Sequence, residues 1–223
     1  RRKNRRDDRG YLRGCNGDKP DNVYDNSTFL ERIDMIYLVR HGESEANISR
    51  RFSGITDVEL TERGALQAVK AGRKLKGEKI LNIFSSPLKR AKNTAEIIAD
   101  EIGFNKKDII IDKRLMEVNF GIFENLKWEE IVDLYADEVE NWVEFKHKYK
   151  FPKGEGYDDI VERISFFMDR VPDHSLISTH YGVIQGILLY LKIADDDTLW
   201  NYEISNCDIF VLNNKKIERI IKC

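Results

Sequence analysis

Apolar residues follow two spacings that alternate along this chain from residue 35 onwards. Short continuous apolar runs predict strands that are covered on both faces of a sheet. The predicted strands are Met35–Val39, Ile80–Phe84, Ile109–Ile111 and Ser175–Ser178. Later in the chain the pattern predicts a closing hairpin around Asn213-Asn214, with strands Ile204–Leu212 and Ile217–Ile221.

Between these runs, apolar residues recur at the spacing of amphipathic helices. The predicted helices are Thr61–Lys76, Pro87–Ile102, Lys127–Tyr135, Val139–Tyr149, Tyr157–Val171 and Val183–Leu191. The first is expected to bury Leu66, Val69 and Leu75. The second is expected to begin with Ser86 as the N-cap and Pro87 in the first helical position. Strands that alternate with helices predict an α/β fold in three αβα layers, with a mostly parallel central sheet.

The composition of the chain changes near residue 35. Residues 1–13 contain seven Lys or Arg against two Asp and almost nothing apolar. Because such a stretch buries too little apolar surface to offset its ordering entropy, we expect residues 1–34 to be a leader that is disordered or not part of the native domain. Residues 35–223 are then expected to form one domain. The alternative for the leader is a basic arm that contacts nucleic acid.

Charge and cysteine content narrow the class of protein. The whole chain has 37 Lys or Arg against 39 Asp or Glu, without the basic surplus of a nucleic-acid binder. The longest apolar run, Val183–Leu191, is too short to span a bilayer. The three cysteines, Cys15, Cys207 and Cys223, form no disulfide or metal-binding pattern, which favours a reducing compartment. We expect a cytoplasmic monomer or homodimer that binds neither membrane nor nucleic acid.

Charged residues follow four of the predicted strands. Because ligands of open α/β sheets bind beyond the carboxyl ends of the strands, these side chains are expected to meet at one rim. The segments in question are Arg40-His41-Gly42-Glu43, Ser85-Ser86-Pro87 with Arg90, Arg114 with Glu117, and Thr179-His180-Tyr181-Gly182. Two arginines, two histidines and one carboxylate are expected to gather there.

This set of groups suits phosphoryl transfer. Two guanidiniums and an imidazolium match the oxygens of a phosphoryl group. A second, neutral histidine can attack phosphorus and form a covalent intermediate, while the cations stabilise the equatorial oxygens. A nearby carboxyl group can protonate the departing alkoxide and later accept a proton from water. No cofactor or metal is needed for this chemistry, and the absence of a GxxxxGK[ST] loop disfavours P-loop nucleotide chemistry.

Several alternatives remain open for these residues. Glu43 and Glu124 compete with Glu117 for the role of proton donor. Two histidines and a glutamate could also bind zinc, although two adjacent guanidiniums would repel a divalent cation. His147 and His174 are expected to be structural. The aromatic residues expected to pack a small helical cap over the site are Trp128, Trp142, Phe145 and Tyr149.

The ordered motifs give the chain a family resemblance. Arg40-His41-Gly42-Glu43-Ser44-Glu45-Ala46-Asn47 resembles the RHG motif of the histidine phosphatase superfamily, the phosphoglycerate-mutase-like proteins. Further matches in the same order are Arg51-Phe52-Ser53-Gly54, Leu60-Thr61-Glu62-Arg63-Gly64, Ser85-Ser86-Pro87-Leu88-Lys89-Arg90-Ala91, Glu117 with Phe120-Gly121, and Thr179-His180-Tyr181-Gly182. The resemblance covers residues 35–212 and implies a phosphoglycerate-mutase-like fold.

The resemblance also implies a role for each matching residue. It makes His41 the nucleophile that becomes phosphohistidine and Glu117 the proton donor. The residues that it assigns to holding the phosphoryl group are Arg40, Arg90 and His180. The residues that it places in the substrate pocket are Asn47, Ser53 and Gly54, with Tyr181 from the segment after His180.

The segment Val118–Asn125 resembles the phosphatase branch of the family, in which α-ribazole phosphatase and broad-specificity phosphatases are most similar. The expected function is therefore hydrolysis of a small phosphorylated metabolite, with α-ribazole 5′-phosphate as a candidate. The alternatives are a phosphoglycerate mutase and a catalytically silent module that binds a phosphorylated ligand. Two departures from the branch concern the substrate: Asn125 replaces a usual glycine, and Gly156-Tyr157 stands where similar chains carry a serine.

Overall fold

A six-stranded sheet, in the strand order β3-β2-β4-β1-β5-β6, forms the centre of the structure. The computed structural model describes residues 35–223, and the expectations for residues 1–34 lie outside that range. The strands are β1 Met35–Arg40, β2 Asn82–Ser85, β3 Ile110–Ile111, β4 Ser175–Thr179, β5 Ile209–Asn213 and β6 Lys216–Ile221. β1 to β4 pair in parallel, while β5 and β6 pair antiparallel along one side. The prediction of a mostly parallel sheet is confirmed.

Helices cover both faces of the sheet. They are α1 Glu45–Ser49, α2 Glu62–Lys74, α3 Lys89–Ile102, α4 Trp128–Leu134, α5 Ala136–Phe145, α6 Tyr157–Met168 and α7 Tyr181–Tyr190. Successive side chains of β1 enter opposite cores, because side chains alternate across a strand. Ile36 and Leu38 belong to the core that includes residues of α6 and α7, and Tyr37 and Val39 to the core with α2 and α3. This is the predicted three-layer α/β fold, and it explains why the strand sequences are continuously apolar.

α3 begins later than the sequence suggested. Its first residue is Lys89 and its N-cap is Leu88, so the prediction of Ser86 as N-cap was wrong. The Ser86 hydroxyl lies 2.8 Å from His180 Nε2 and also accepts a hydrogen bond from the Leu88 amide. Ser86 therefore contacts His180, directly after β4, and is not the N-cap of α3.

α2 packs through small side chains rather than through the predicted apolar face. Leu66 is 63% exposed, whereas Leu75 is buried as expected. The other buried positions of this helix are Gly64, Ala68, Ala71 and Gly72. Small residues allow the backbones of α2 and α3 to come close, since a Cβ at Gly72 would lie 2.6 Å from Glu101 Cβ. Hydrophobic periodicity depends on large apolar side chains, so it did not predict that α2 packs through glycines and alanines.

The first strand of the closing hairpin is shorter than predicted and begins at Ile209. Residues 204–208 instead curve around the end of β1, where the Cys207 amide donates to the Arg40 carbonyl and the Arg40 amide donates to the Asp208 carbonyl. These bonds hold the backbone of Arg40 at the carboxyl edge of the sheet.

Two other features of residues 35–223 bear on the sequence-based expectations. No helix in this range is long and apolar enough to cross a membrane. Its two cysteines, buried Cys207 and half-buried Cys223, are free thiols.

We predict that Gly64→Ala destabilises the fold although alanine is the better helix former. A Cβ at Gly64 would lie 2.0 Å from the Glu43 carbonyl oxygen, in the segment that follows β1. The expected loss in the free energy of unfolding is about 1–3 kcal/mol, against a helix-propensity gain of about 1 kcal/mol. Urea denaturation measures it, with Leu66→Ala on the exposed face of the same helix as the control. Equal stability of Gly64→Ala and wild type would show that this close approach is unimportant.

Candidate active site

His41 stands directly after β1 and lines a cavity of about 300 Å³. Its side chain is buried, and its Nδ1 lies 2.7 Å from the Gly42 carbonyl oxygen. A carbonyl can only accept, so Nδ1 carries a proton and the neutral ring keeps its lone pair on Nε2. Burial and the nearby charges of Arg90 and Arg40 hold the pKa of His41 well below its usual value. The lowered pKa favours the neutral imidazole, whose Nε2 lone pair is chemically able to act as a nucleophile.

Arg40, the last residue of β1, lines the same cavity. Its Nη1 donates to the Ile204 carbonyl at 2.7 Å, and its guanidinium lies 5.4 Å from the centre of the Tyr181 ring. Its Nε is buried without a hydrogen-bond partner. A buried donor of this kind is costly unless it is satisfied, and an anionic oxygen in the cavity would satisfy it.

Arg90, on the first turn of α3, is 1% exposed and also lines the cavity. Three backbone carbonyls hold its guanidinium: Thr56 at 2.9 Å, Ser53 at 3.0 Å and Gly54 at 2.8 Å. Its neighbour Lys89 pairs with Glu59 on the solvent side. Arg90 therefore faces the cavity, whereas the adjacent Lys89 faces solvent.

The loop that holds Arg90 is itself held by Glu124. This carboxylate accepts hydrogen bonds from the backbone amides of Gly54, Ile55, Thr56 and Phe120 and from the Thr56 hydroxyl. Glu124 thus organises the loop backbone and is absent from the cavity lining. The other rival carboxylate, Glu43, bonds to Thr61 and Arg63 and is likewise outside the cavity.

Glu117 is the carboxyl group that lines the cavity, and it is 6% exposed. Its Oε1 accepts from the amides of Val118 at 2.9 Å and Gly182 at 3.1 Å. Burial raises the pKa of Glu117, against the opposing pull of these amides and of the two arginines. A Cβ at Gly182 would lie 2.7 Å from Oε1, so the glycine permits this close approach.

His180, the N-cap residue of α7, is fully buried with its ring centre 5.2 Å from that of His41. Its Nε2 lies 2.8 Å from the Ser86 hydroxyl, and its Nδ1 is buried without a partner. Burial together with the charge of Arg90 holds the pKa of His180 well below its usual value. This direction favours the neutral ring over the expected imidazolium, because burial and the neighbouring guanidiniums both disfavour the charged form.

The other residues expected at the site are only partly in the cavity. Asn47, Ser53 and Tyr181 line it, whereas Gly54 donates its amide to Glu124 and stays behind the wall. Arg114 also lies outside it, paired with Asp112. Within residues 35–223, no group of three or more His, Cys, Asp or Glu side chains could hold a metal ion.

The expected aromatic cap is present in part. Trp142 lines the cavity and stacks on buried Tyr149 at a centroid distance of 6.2 Å, while Phe145 is 49% exposed and does not line the cavity. Asn125, which replaces the usual glycine, has φ +62°. Asparagine tolerates the left-handed region better than most side chains, which explains how it can stand there.

Sequence reasoning missed a buried polar contact in the cavity wall. The Tyr157 hydroxyl donates to Gln185 Oε1, and Gln185 Nε2 lies 3.4 Å from the Tyr181 hydroxyl. Gln185 is completely buried in α7. One polar residue in an otherwise apolar run was the available signal, because a buried amide needs partners.

A phosphorylated ligand in this cavity would meet a neutral imidazole, two guanidiniums and a carboxyl group whose pKa is raised by burial. Such groups can attack phosphorus, neutralise its oxygens and supply a proton to a departing alkoxide.

Comparisons with known proteins agree with this chemistry. A family model described as histidine phosphatase superfamily (branch 1) matches residues 36–222. Phosphoserine phosphatase 1 of Hydrogenobacter thermophilus is 29% identical over 83% of this chain and 89% of its own length. A protein of Erwinia tasmaniensis named "Probable phosphoglycerate mutase GpmB" is 35% identical over 69% of this chain and 72% of its own. The solved structure of Bacillus stearothermophilus YhfR superposes with a TM-score of 0.71 at 27% identity, covering 82% of this chain and 94% of that one.

We predict that vanadate, a phosphate-like oxyanion, binds this cavity through Arg40. At a hundred times its dissociation constant it should raise the free energy of unfolding by about 2.7 kcal/mol. In Arg40→Gln the gain at the same concentration should fall below about 1 kcal/mol, because the orphaned Nε is lost. Arg114→Gln, which removes a guanidinium outside the cavity, is the control. Thermal unfolding with and without vanadate measures the gain, and an undiminished gain in Arg40→Gln would place the oxyanion elsewhere.

Proposed function

The chain belongs to the histidine phosphatase superfamily, branch 1, and within it we propose that the protein is a phosphomonoester hydrolase that works through a phosphohistidine intermediate. Named relatives in the comparisons include a phosphatase and a mutase. The observation that carries the proposal is the environment of His41. Its neutral imidazole faces one cavity together with Arg40, Arg90 and a buried carboxyl group.

In the proposed first step, His41 Nε2 attacks phosphorus and the bond from phosphorus to the ester oxygen breaks. Glu117 gives its proton to the departing alkoxide, so the alcohol leaves neutral. Arg40 and Arg90 neutralise the charge on the equatorial oxygens, which makes a metal ion unnecessary in this step. His180 is not among the residues that line the cavity, but its ring centre lies 5.2 Å from that of His41 and its Nδ1 has no hydrogen-bond partner. Its proposed role is to position the His41 ring and to donate from Nδ1 to a bound phosphoryl group.

In the proposed second step, water attacks phosphorus and gives a proton to the Glu117 carboxylate. The bond from phosphorus to Nε2 breaks, phosphate leaves, and both His41 and Glu117 return to their starting protonation states. The nucleophile, the proton donor and both guanidiniums line one cavity, which argues against a catalytically silent binding module.

The proposed substrate is a small phosphorylated metabolite, for which α-ribazole 5′-phosphate remains the candidate suggested by the sequence. Asn47 lines the cavity, and its Oδ1 accepts a hydrogen bond from the Ser44 backbone amide at 3.0 Å. Its Nδ2 is the group proposed to donate to the phosphate. Ser53 contributes to phosphate binding through its carbonyl, which fixes Arg90. Tyr181 contributes through its ring, whose centre lies 5.4 Å from the Arg40 guanidinium. Gly54 does not line the cavity and contributes through its carbonyl, which accepts a hydrogen bond from Arg90.

Phosphoglycerate mutase is the second candidate, because a relative at 35% identity carries that name. A mutase must retain a carboxylated sugar acid and exclude water between the two transfers. Isomerisation of 3-phosphoglycerate that exceeds phosphate release from every monoester tested would favour it.

We predict that His41→Ala lowers phosphate release from p-nitrophenyl phosphate by about 10³-fold or more, because no other imidazole lines the cavity. In wild type, rapid quenching should trap one phosphoryl group on the peptide that contains His41, as mass spectrometry can detect. His174→Asn is the control, since His174 lies outside the cavity and its φ of +59° suits asparagine. Retained turnover in His41→Ala, or label on another residue, would contradict the nucleophile assignment.

We predict that Glu117→Gln slows alkyl phosphate hydrolysis by about 10²-fold or more but p-nitrophenyl phosphate hydrolysis far less, because only the alkoxide needs a proton. The raised pKa of Glu117 keeps its carboxyl protonated to higher pH than an exposed glutamate, so wild-type kcat/KM for the alkyl ester should fall as pH rises through that pKa. Glu117→Gln should lose this fall, whereas Glu43→Gln should retain it. An equal loss of activity on both esters in Glu117→Gln would contradict the assignment of Glu117 as the proton donor.

A further inference from the structure

All three tryptophans of this chain line one depression beside the catalytic cavity. The depression measures about 220 Å³, and the residues that line it are Trp128, Trp142, Val143, Lys146 and Trp200. Lys146 is its one charged member. We call this depression the tryptophan subsite.

The tryptophan subsite shares a wall with the catalytic cavity. Trp142 and Trp200 line both spaces. Trp142 is fixed from behind by Phe52 and Phe151, at centroid distances of 5.7 Å and 5.0 Å. Trp200 is 45% exposed and belongs to the short 3₁₀ turn Leu199–Asn201. The two spaces are therefore neighbours, and a ligand that extends from His41 past the exposed indole of Trp200 would enter the subsite.

The intervening part of the catalytic cavity is also aromatic. Phe52, Phe120 and Phe151 line it together with Trp142. Beyond Arg40 and Arg90, its cations are Arg50 and Arg51, and Arg51 is already bonded to the Asn125 carbonyl and to Glu130. Aromatic walls favour flat apolar groups, which stack or meet edge to face.

We propose that the tryptophan subsite binds a flat, apolar part of the substrate's alcohol, so that the preferred substrate is a phosphomonoester with an extended aromatic body. The inference rests on the proposed phosphatase function and deepens it. Continuity with the catalytic cavity identifies the occupant, because the two spaces meet at Trp142 and Trp200. Trp200 is then a specificity-determining residue that contacts the far end of the substrate.

Binding of two phosphonates that cannot be hydrolysed tests the subsite separately from catalysis. Benzylphosphonate carries one ring, whereas 4-biphenylylmethylphosphonate carries a second ring along the same axis. Tryptophan emission reports on the subsite directly, since every tryptophan of the chain lines it. We expect the biphenylyl compound to bind wild type about tenfold more tightly, the gain expected from stacking one further ring.

Two variants locate that gain. In Trp200→Ala the preference for the second ring should fall below about threefold, with Trp128 and Trp142 left as reporters. Val143→Glu, at a position that is 68% exposed, should lower it similarly by placing a carboxylate in the subsite. Phe166→Ala is the matched control, because Phe166 is 58% exposed on α6 and lines neither space, and it should keep the wild-type preference.

The outcomes separate the two proposals. Equal affinity of wild type for both phosphonates, or an equal loss in Phe166→Ala, would overturn the subsite. A Trp200→Ala variant that keeps the preference but changes from dimer to monomer in ultracentrifugation would also overturn it and make this face an interface between copies. A preference that disappears only in Trp200→Ala and Val143→Glu would support the subsite. It would do so even if wild type released phosphate from no monoester, a result that would defeat the proposed function alone.

Discussion

The burial of one imidazole between two guanidiniums is the constraint on which the site depends. A cation at His41 would be surrounded by like charge and cut off from water, so the ring stays neutral and Nε2 keeps its lone pair. The same burial raises the pKa of Glu117 and so favours its protonated form. Environment thus shifts the two pKa values in opposite directions, which is the arrangement that the proposed nucleophile and proton donor need.

Keeping a guanidinium buried next to that ring needs a dedicated support. Arg90 is held by three carbonyls of the loop that contains residues 53–56, and the amides of that loop converge on Glu124. The negative charge therefore acts on the cation through the backbone rather than by a direct ion pair. A carboxylate in contact with Arg90 would occupy donors that a phosphoryl group needs.

Two close approaches of the backbone complete the site. Gly42 and Gly64 let the segment after β1 lie against α2, since a Cβ at Gly42 would be 2.4 Å from the Gly64 carbonyl oxygen. Gly182 lets Glu117 reach the first turn of α7. The cavity lining combines charged side chains, Arg40, Arg90 and Glu117, with aromatic ones, Phe52, Phe120 and Trp142, so the proposed phosphate binding and the proposed choice of alcohol involve different residues.

The sequence by itself determined the layer order, the parallel sheet and the motifs at the ends of its strands, because continuous apolar strands alternating with amphipathic helices have few ways to pack. It also singled out His41, Arg40, Arg90 and Glu117, since the carboxyl ends of parallel strands meet at one edge. Tertiary structure decided what local pattern does not encode. Ser86, predicted as a helix cap, bonds to His180 instead. α2 buries alanines and glycines rather than Leu66. Glu124 binds the backbone amides of a loop and does not serve as a proton donor in the cavity. Proton states depend in the same way on burial and on charges distant in the chain, which is why the neutral ring of His180 is favoured over the expected cation.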